Sequence, residues 1–368
     1  MKNIFPTLTL GLLSAPILCL ADVTALEQRM DEMESYIIEL EEKVGERTLA
    51  SSFDSIGLDI GGFLHTAYTH IDTDSGSQGS FNRNNFELLV SAQLNDSWSA
   101  FIASGFLRES DDPLVGDVLK NIQRPVFDNK NKTPSIIAYA NYQHNDTLNV
   151  RIGRQLTPHG IVNIEHFPAS LLDTEQPQFL RPFNGNTLFP NFFTGINLHG
   201  KGFYTNSAPF YSLYLGNYND LPNSTIGGAR LGLGLFDQSL EVALNFHSGD
   251  RTSLKDRYNM AGIDVKLDYK SWLIKSEYYT TSEQASILDR EAFYIQPALR
   301  FNEHWVGFFR YDTLDNPSSN GEQTENSIGI NYIPSSNVQL RAIVRNTRFK
   351  DQNNFKADAI QLSGTFSF

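Results

Sequence analysis

From residue 56 onward, apolar and polar residues alternate with a period of two in many segments of roughly ten residues, the pattern of membrane β-strands. Phe86, Leu88, Val90, Ala92 and Leu94 share one face, with Glu87, Ser91 and Gln93 on the other. Ala261, Ile263, Val265, Leu267 and Tyr269 alternate with Gly262, Asp264, Lys266 and Asp268. Val338, Leu340, Ala342 and Val344 alternate with Gln339, Arg341 and Arg345. The segments 148–153 and 293–301 behave alike and place Arg151 and Arg300 on the polar side. Charges that recur so regularly on one face cannot line a dry core, but they can line water.

The connections count the strands. Short polar turns are predicted at 95–96, 144–147, 206–209, 237–239, 270–271, 302–304 and 334–337. Longer polar loops fall between them, at 71–82, 108–134, 156–197, 219–228, 248–257, 281–291, 312–326 and 348–356. The expected fold is therefore all-β, a sixteen-stranded antiparallel transmembrane β-barrel over 56–368 with both strand ends on the short-turn side. A barrel of that size leaves an aqueous lumen, whereas about eight strands would be filled by side chains. Trp98, Trp272 and Trp305 each follow a short turn within two residues, and Phe368 ends the final alternating segment. These are the expected membrane-interface aromatics.

Before residue 56 the pattern differs. Val23, Leu26, Met30, Met33, Ile37, Leu40 and Val44 repeat at heptad spacing, which predicts a short coiled-coil helix over 22–47. The β-branched residues at a and Leu at d lean toward two strands; a lone amphipathic helix on the barrel rim is the plainer reading. Residues 48–55 read as a linker. Lys2, the apolar run Leu8–Leu20 and the small residues at Cys19 and Ala21 form a signal peptide over 1–21. A lipoprotein cysteine at Cys19 is the alternative, against which the bulk of Leu18 counts. Cleavage after Ala21 removes the only Cys, which suits export through an oxidising compartment.

Composition narrows the classes. The 368 residues carry 29 Lys+Arg against 42 Asp+Glu, a net charge of -13 that argues against nucleic acid as a partner. One Cys excludes a disulfide scaffold, and no apolar stretch after residue 21 is long enough for a transmembrane helix. No GxSxG elbow, Walker loop or dinucleotide fingerprint occurs, and His159 and His166 lack the spacing of a helical zinc pair. No cofactor, metal or catalytic activity is therefore expected.

The candidate chemistry lies in the loop 156–197, several times the commonest connection length and rich in proline. Its acids are Glu165, Asp173 and Glu175, and Arg181 either meets the solute or anchors the loop. Alternation places Arg151, Arg300, Arg341 and Arg345 inward, with Arg310 as a further candidate. Arg341 and Arg345, about 14 Å apart on one face of one strand, form the best pair. Carboxylates facing guanidinium groups across a narrow bore would create a transverse field that sets ion preference.

The signal peptide, sixteen strands, long third outer loop and terminal Phe368 together resemble the Gram-negative outer-membrane porins. Val150 to Gly160 is similar to the strand-then-loop of the phosphate-selective group, and the coiled coil is similar to that of dicarboxylate-type porins. The resemblance implies a homotrimer embedded in outer-membrane lipid, with the helix periplasmic. It further implies a third outer loop folded into the lumen to form the constriction, and Phe368 read by the barrel assembly machinery. The implied activity is passive diffusion of small hydrophilic solutes, with anions such as phosphate or small carboxylates favoured by the wall arginines. Two other readings stand beside it: an envelope-tethering barrel and a barrel enzyme.

Overall fold

The computed structural model describes residues 57–368 apart from 75, 110–134, 182–186, 219–223, 251–256, 284–288, 317–320 and 351–354. The expected signal peptide, coiled coil and linker lie outside the described residues. Sixteen strands are present among them. They are β1 (Gly57–Thr73), β2 (Gly76–Gln93), β3 (Trp98–Glu109), β4 (Ser135–Asn145), β5 (Leu148–Leu156), β6 (Phe192–Lys201), β7 (Ser207–Tyr218) and β8 (Ile226–Leu235). The second half comprises β9 (Leu240–Asp250), β10 (Arg257–Tyr269), β11 (Trp272–Glu283), β12 (Glu291–Arg300), β13 (Trp305–Asn316), β14 (Gly321–Ser335), β15 (Val338–Lys350) and β16 (Lys356–Ser367).

Each strand pairs with its sequence neighbour, and β1 pairs antiparallel with β16 from Phe63↔Ser367 to Thr73↔Ala357, which closes the barrel. Beyond that register the Gly62 and Phe368 main chains exchange two hydrogen bonds of 3.1 and 3.0 Å. Closure leaves no exposed strand edge, the condition for a sheet to survive in lipid.

The period-two alternation sorts as expected. Outward, Ile60, Phe86, Ile102, Ile152, Ile196, Leu215, Leu231, Phe246, Ile328, Val344 and Leu362 are exposed. Trp98, Trp272, Trp305 and Phe368 are exposed at the short-turn end, where Trp98 and Trp305 pack against Tyr142 and Tyr332 at ring-centroid distances of 5.0 and 4.6 Å. Rings with a polar handle suit a lipid–water boundary.

Strand ends depart from the sequence reading. The loop expected at 71–82 shrinks, because β1 runs on to Thr73 and β2 begins at Gly76, with 17 and 18 residues. About 9–11 residues suffice to cross the hydrocarbon. Beyond it both strand faces meet water, alternation disappears, and a strand reads as a loop. The long connection 156–197 is likewise trimmed, to Thr157–Asn191 between β5 and β6.

The core lies inside the barrel. Val162, Leu171, Phe179, Leu180, Leu188 and Phe189 of the loop pack against Tyr258, Met260, Tyr279, Ala292, Tyr294 and Leu314 of β10–β13. A second cluster sets Phe192, with Phe167 and Leu156, against Ala103 and Ile137 of β3 and β4. The apolar loop residues thus find buried partners only by folding into the lumen.

Candidate functional site

The loop is pinned to the wall at successive points along its length. His159 is fully buried; its Nε2 bonds Tyr214 OH at 2.8 Å and its Nδ1 bonds Asn245 Oδ1 at 3.2 Å. Ile161 and Val162 then donate their backbone N–H groups to Glu277 Oε1 at 2.9 and 3.0 Å. Glu277 also accepts hydroxyl bonds from Tyr279 at 2.7 Å and Tyr294 at 2.8 Å. Four neutral donors thus satisfy this buried carboxylate. Further along, Glu165 meets Lys266 at 2.9 Å and also pairs with Lys275.

The middle of the loop rests on a buried ion cluster. Glu325 of β14 receives Arg181 Nη2 and Nη1 at 2.8 and 2.9 Å, Arg310 Nη2 at 2.7 Å and Thr347 Oγ1 at 3.0 Å, with Arg345 Nε at 3.2 Å. Asp173 of the loop takes Arg345 Nη2 at 2.7 Å and lies 3.3 Å from Arg310 Nη2. Burial alone would raise the Asp173 pKa, but Arg310 and Arg345 outweigh it and hold the carboxyl below its ordinary value. Glu175 accepts from Gln361 Nε2 at 3.2 Å, and its carbonyl accepts from Arg310 Nη1 at 2.7 Å. Gln178 donates its N–H to Asp312 Oδ2 at 2.9 Å.

These contacts revise the field expected across the bore. Arg341 and Arg345 do point inward, yet neither faces open water. Arg341 donates to the Pro168 and Leu171 carbonyls at 2.5 and 2.9 Å and to Thr365 Oγ1 at 2.7 Å, while Arg345 lies within the ion cluster. Arg310, Arg181, Asp173 and Glu175 are buried with it. Wall cations and loop anions touch rather than oppose each other across a gap, because charges taken out of water must pair. Arg300 stands at the short-turn rim, bound to Asp268 at 2.7 and 2.9 Å. Of the expected set, Arg151 alone lines the open space beside the loop.

That space is a cavity of about 610 Å³, running from Pro158, Ile164 and Phe167 under the loop to Asp146, Lys201 and Glu241 beside the short turns. Its wall includes Tyr139, Asn149, Asn197, His199, Ser212 and Arg230 from β4 to β8. Arg230 is held by Asp264 at 2.7 and 3.0 Å, and Lys201 lies 3.5 Å from Glu241. The Arg151 guanidinium stacks over the Tyr139 ring, 4.3 Å from its centroid. The sequence reading missed Glu325, Glu277, Asp312, Lys201 and Arg230. Glu277, Lys201 and Arg230 sit on inward positions that parity gives, but parity does not say which inward groups the loop will cover. Asp312 and Glu325 fell in the loop expected at 312–326, whereas β13 runs on to Asn316 and β14 begins at Gly321.

His159 and His166 in the loop predict acid sensitivity. Burial pushes His159 down to about 3 and His166 down to about 4, from an ordinary 6.5. The unfolded chain takes up these protons near pH 6.5 and the folded one does not, so this stability is full above pH 7 and drains as pH falls toward 4. At about 1.4 kcal/mol per unit the loss is on the order of a few kcal/mol. Thermal unfolding in detergent should show a midpoint that is flat above pH 7 and falls steadily from 6.5 to 4, with a shallower fall in H166Q. A midpoint independent of pH over that range would contradict the burial of both rings.

No protein-family model and no curated protein matches the sequence. Solved structures do match. The anion-selective porin from Comamonas acidovorans aligns with a TM-score of 0.62 at 10 % identity, over 85 % of this chain and 100 % of that one. OmpF of Salmonella typhi, solved with daunomycin, aligns at 0.59 and 13 % identity over 84 % and 97 %. The trimer form of OmpT, an outer-membrane protein of Vibrio cholerae, aligns at 0.57 and 11 % identity over 85 % and 99 %. The shared feature is the fold, that of the outer-membrane porins.

Proposed function

We propose that this protein is a trimeric porin of the Gram-negative outer membrane, passing small hydrophilic solutes down their gradients with a preference for anions. The observation that carries the reading is the sorting of faces in a closed sixteen-strand barrel: an apolar belt outside, and polar, charged groups within. Only a lipid exterior and a hydrated interior satisfy both at once. Passage follows the β3–β9 side, since the loop's ion cluster and its larger apolar cluster lie against β10–β16. Along that route Arg230 is held by Asp264 and Lys201 lies beside Glu241, which leaves Arg151 as the cation without a carboxylate partner among the described residues, and charge near a narrow path acts strongly on ions. The trimer form of one structural neighbour supports the oligomeric part of the proposal. A tethering role would rest on 22–47, outside the described residues.

Purified protein in a planar bilayer should give stepwise currents in potassium chloride. Under a tenfold salt gradient the reversal potential should carry the sign of chloride permeation. Silent bilayers would remove the channel, and a potential of cation sign would remove the anion preference.

A further inference from the structure

Arg151 differs from the other inward arginines. Arg181, Arg310 and Arg345 sit on carboxylates, Arg230 on Asp264, Arg300 on Asp268, and Arg341 on loop carbonyls. Arg151 makes no ion pair or hydrogen bond with any described residue; its Nε is buried and unbonded, and its plane lies over Tyr139. A stacked guanidinium keeps its N–H fork free at the edge, the geometry that receives a carboxylate in two parallel bonds. The cavity it lines falls in the range of about 300–1,000 Å³ typical of small-molecule sites. Its surroundings are mixed: Phe101, Ile137, Phe167 and Phe210 present apolar surface, while Asn197 and Ser212 add a hydrogen-bonded polar edge.

We propose that Arg151 and Tyr139 form the centre of a binding site for organic monoanions with a flat apolar body, such as aromatic monocarboxylates. One uncommitted cation matches one charge, and the aromatic lining offers stacking that phosphate or acetate cannot use. The site deepens the porin reading, which supplies the ligand's access, but binding itself does not require conduction.

The test titrates benzoate, acetate and benzyl alcohol into the full-length folded protein in detergent, with R151Q and R151K beside the wild type. Benzoate should bind the wild type at least tenfold more tightly than acetate or benzyl alcohol. R151Q should lose at least tenfold, and R151K should fall between, since it keeps the charge but not the planar fork. In bilayers, added benzoate should lower the chloride current of the wild type and spare that of R151Q. Equal benzoate binding in wild type and R151Q, or no advantage over acetate, would overturn the site. Benzoate binding intact in a protein that passes no current would remove the channel and leave the site standing.

Discussion

Replacing Glu325 by Gln is expected to loosen the loop more than any other single change. The carboxylate holds Arg181 at 2.8 Å, Arg310 at 2.7 Å and Arg345 at 3.2 Å, and all four side chains are almost completely buried. Glutamine keeps the shape but removes the charge, so Arg310 and Arg345 are left with Asp173, and Arg181 is left with no ion pair among the described residues. Breaking a buried ion pair from one side typically costs about 3–5 kcal/mol, because the orphaned charge stays out of water. The chain can avoid part of that cost by letting the loop leave the wall and hydrate the arginines. E325Q should therefore unfold at lower temperature in detergent and also show larger, noisier single-channel currents. D173N should do the same, and the double variant should lose more than the sum, since either acid left alone still partners Arg310 and Arg345. Wild-type stability in E325Q would show that the cluster is not what holds the loop.

G160A is expected to unseat the loop at its other attachment. Gly160 has φ +66, and an added Cβ would lie 2.0 Å from Glu277 Oε2 and 2.5 Å from Tyr279 OH. The left-handed backbone costs roughly 1–2 kcal/mol for an L-residue, and crowding a packed interior adds about 1–3 kcal/mol. The struck carboxylate is the one that receives Ile161, Val162, Tyr279 and Tyr294, so its displacement strips several buried donors at once. G76A makes the comparison: φ is +135 there, but no atom lies within 4 Å of the added carbon. G160A should lower the unfolding midpoint well below that of G76A. Equal midpoints would mean that the Glu277 clasp contributes little.

The strand count and the assignment of faces were legible from the chain alone, because side-chain parity is a local property of extended backbone. Phe86 and Leu88 outward, and Arg341 and Arg345 inward, follow from parity without any knowledge of neighbours. What parity could not supply is the route of the loop. Arg341 meets Pro168 and Leu171 across some 170 residues, and Arg181 meets Glu325 across 144. An inward arginine under such a loop and one facing water have the same sequence surroundings. Arg151 remained open while its counterparts were covered because the loop crosses toward β10–β16. That direction is set by Phe179, Phe189 and Leu171 finding Tyr279, Tyr294 and Leu314. The upper ends of β1 and β2 escaped notice for a separate reason, since polar residues on both faces carry no periodic signal.

The seam between β1 and β16 joins residues about 300 positions apart in register. Every other pairing can form between strands that are neighbours in the chain, so a growing sheet reaches fifteen pairings before this one is available. Until then the nascent sheet carries two unsatisfied borders, each able to recruit a strand from another molecule. Ring formation is thus the slow, long-range event of assembly. Escape from aggregation depends on keeping those borders apart from foreign partners until they meet each other.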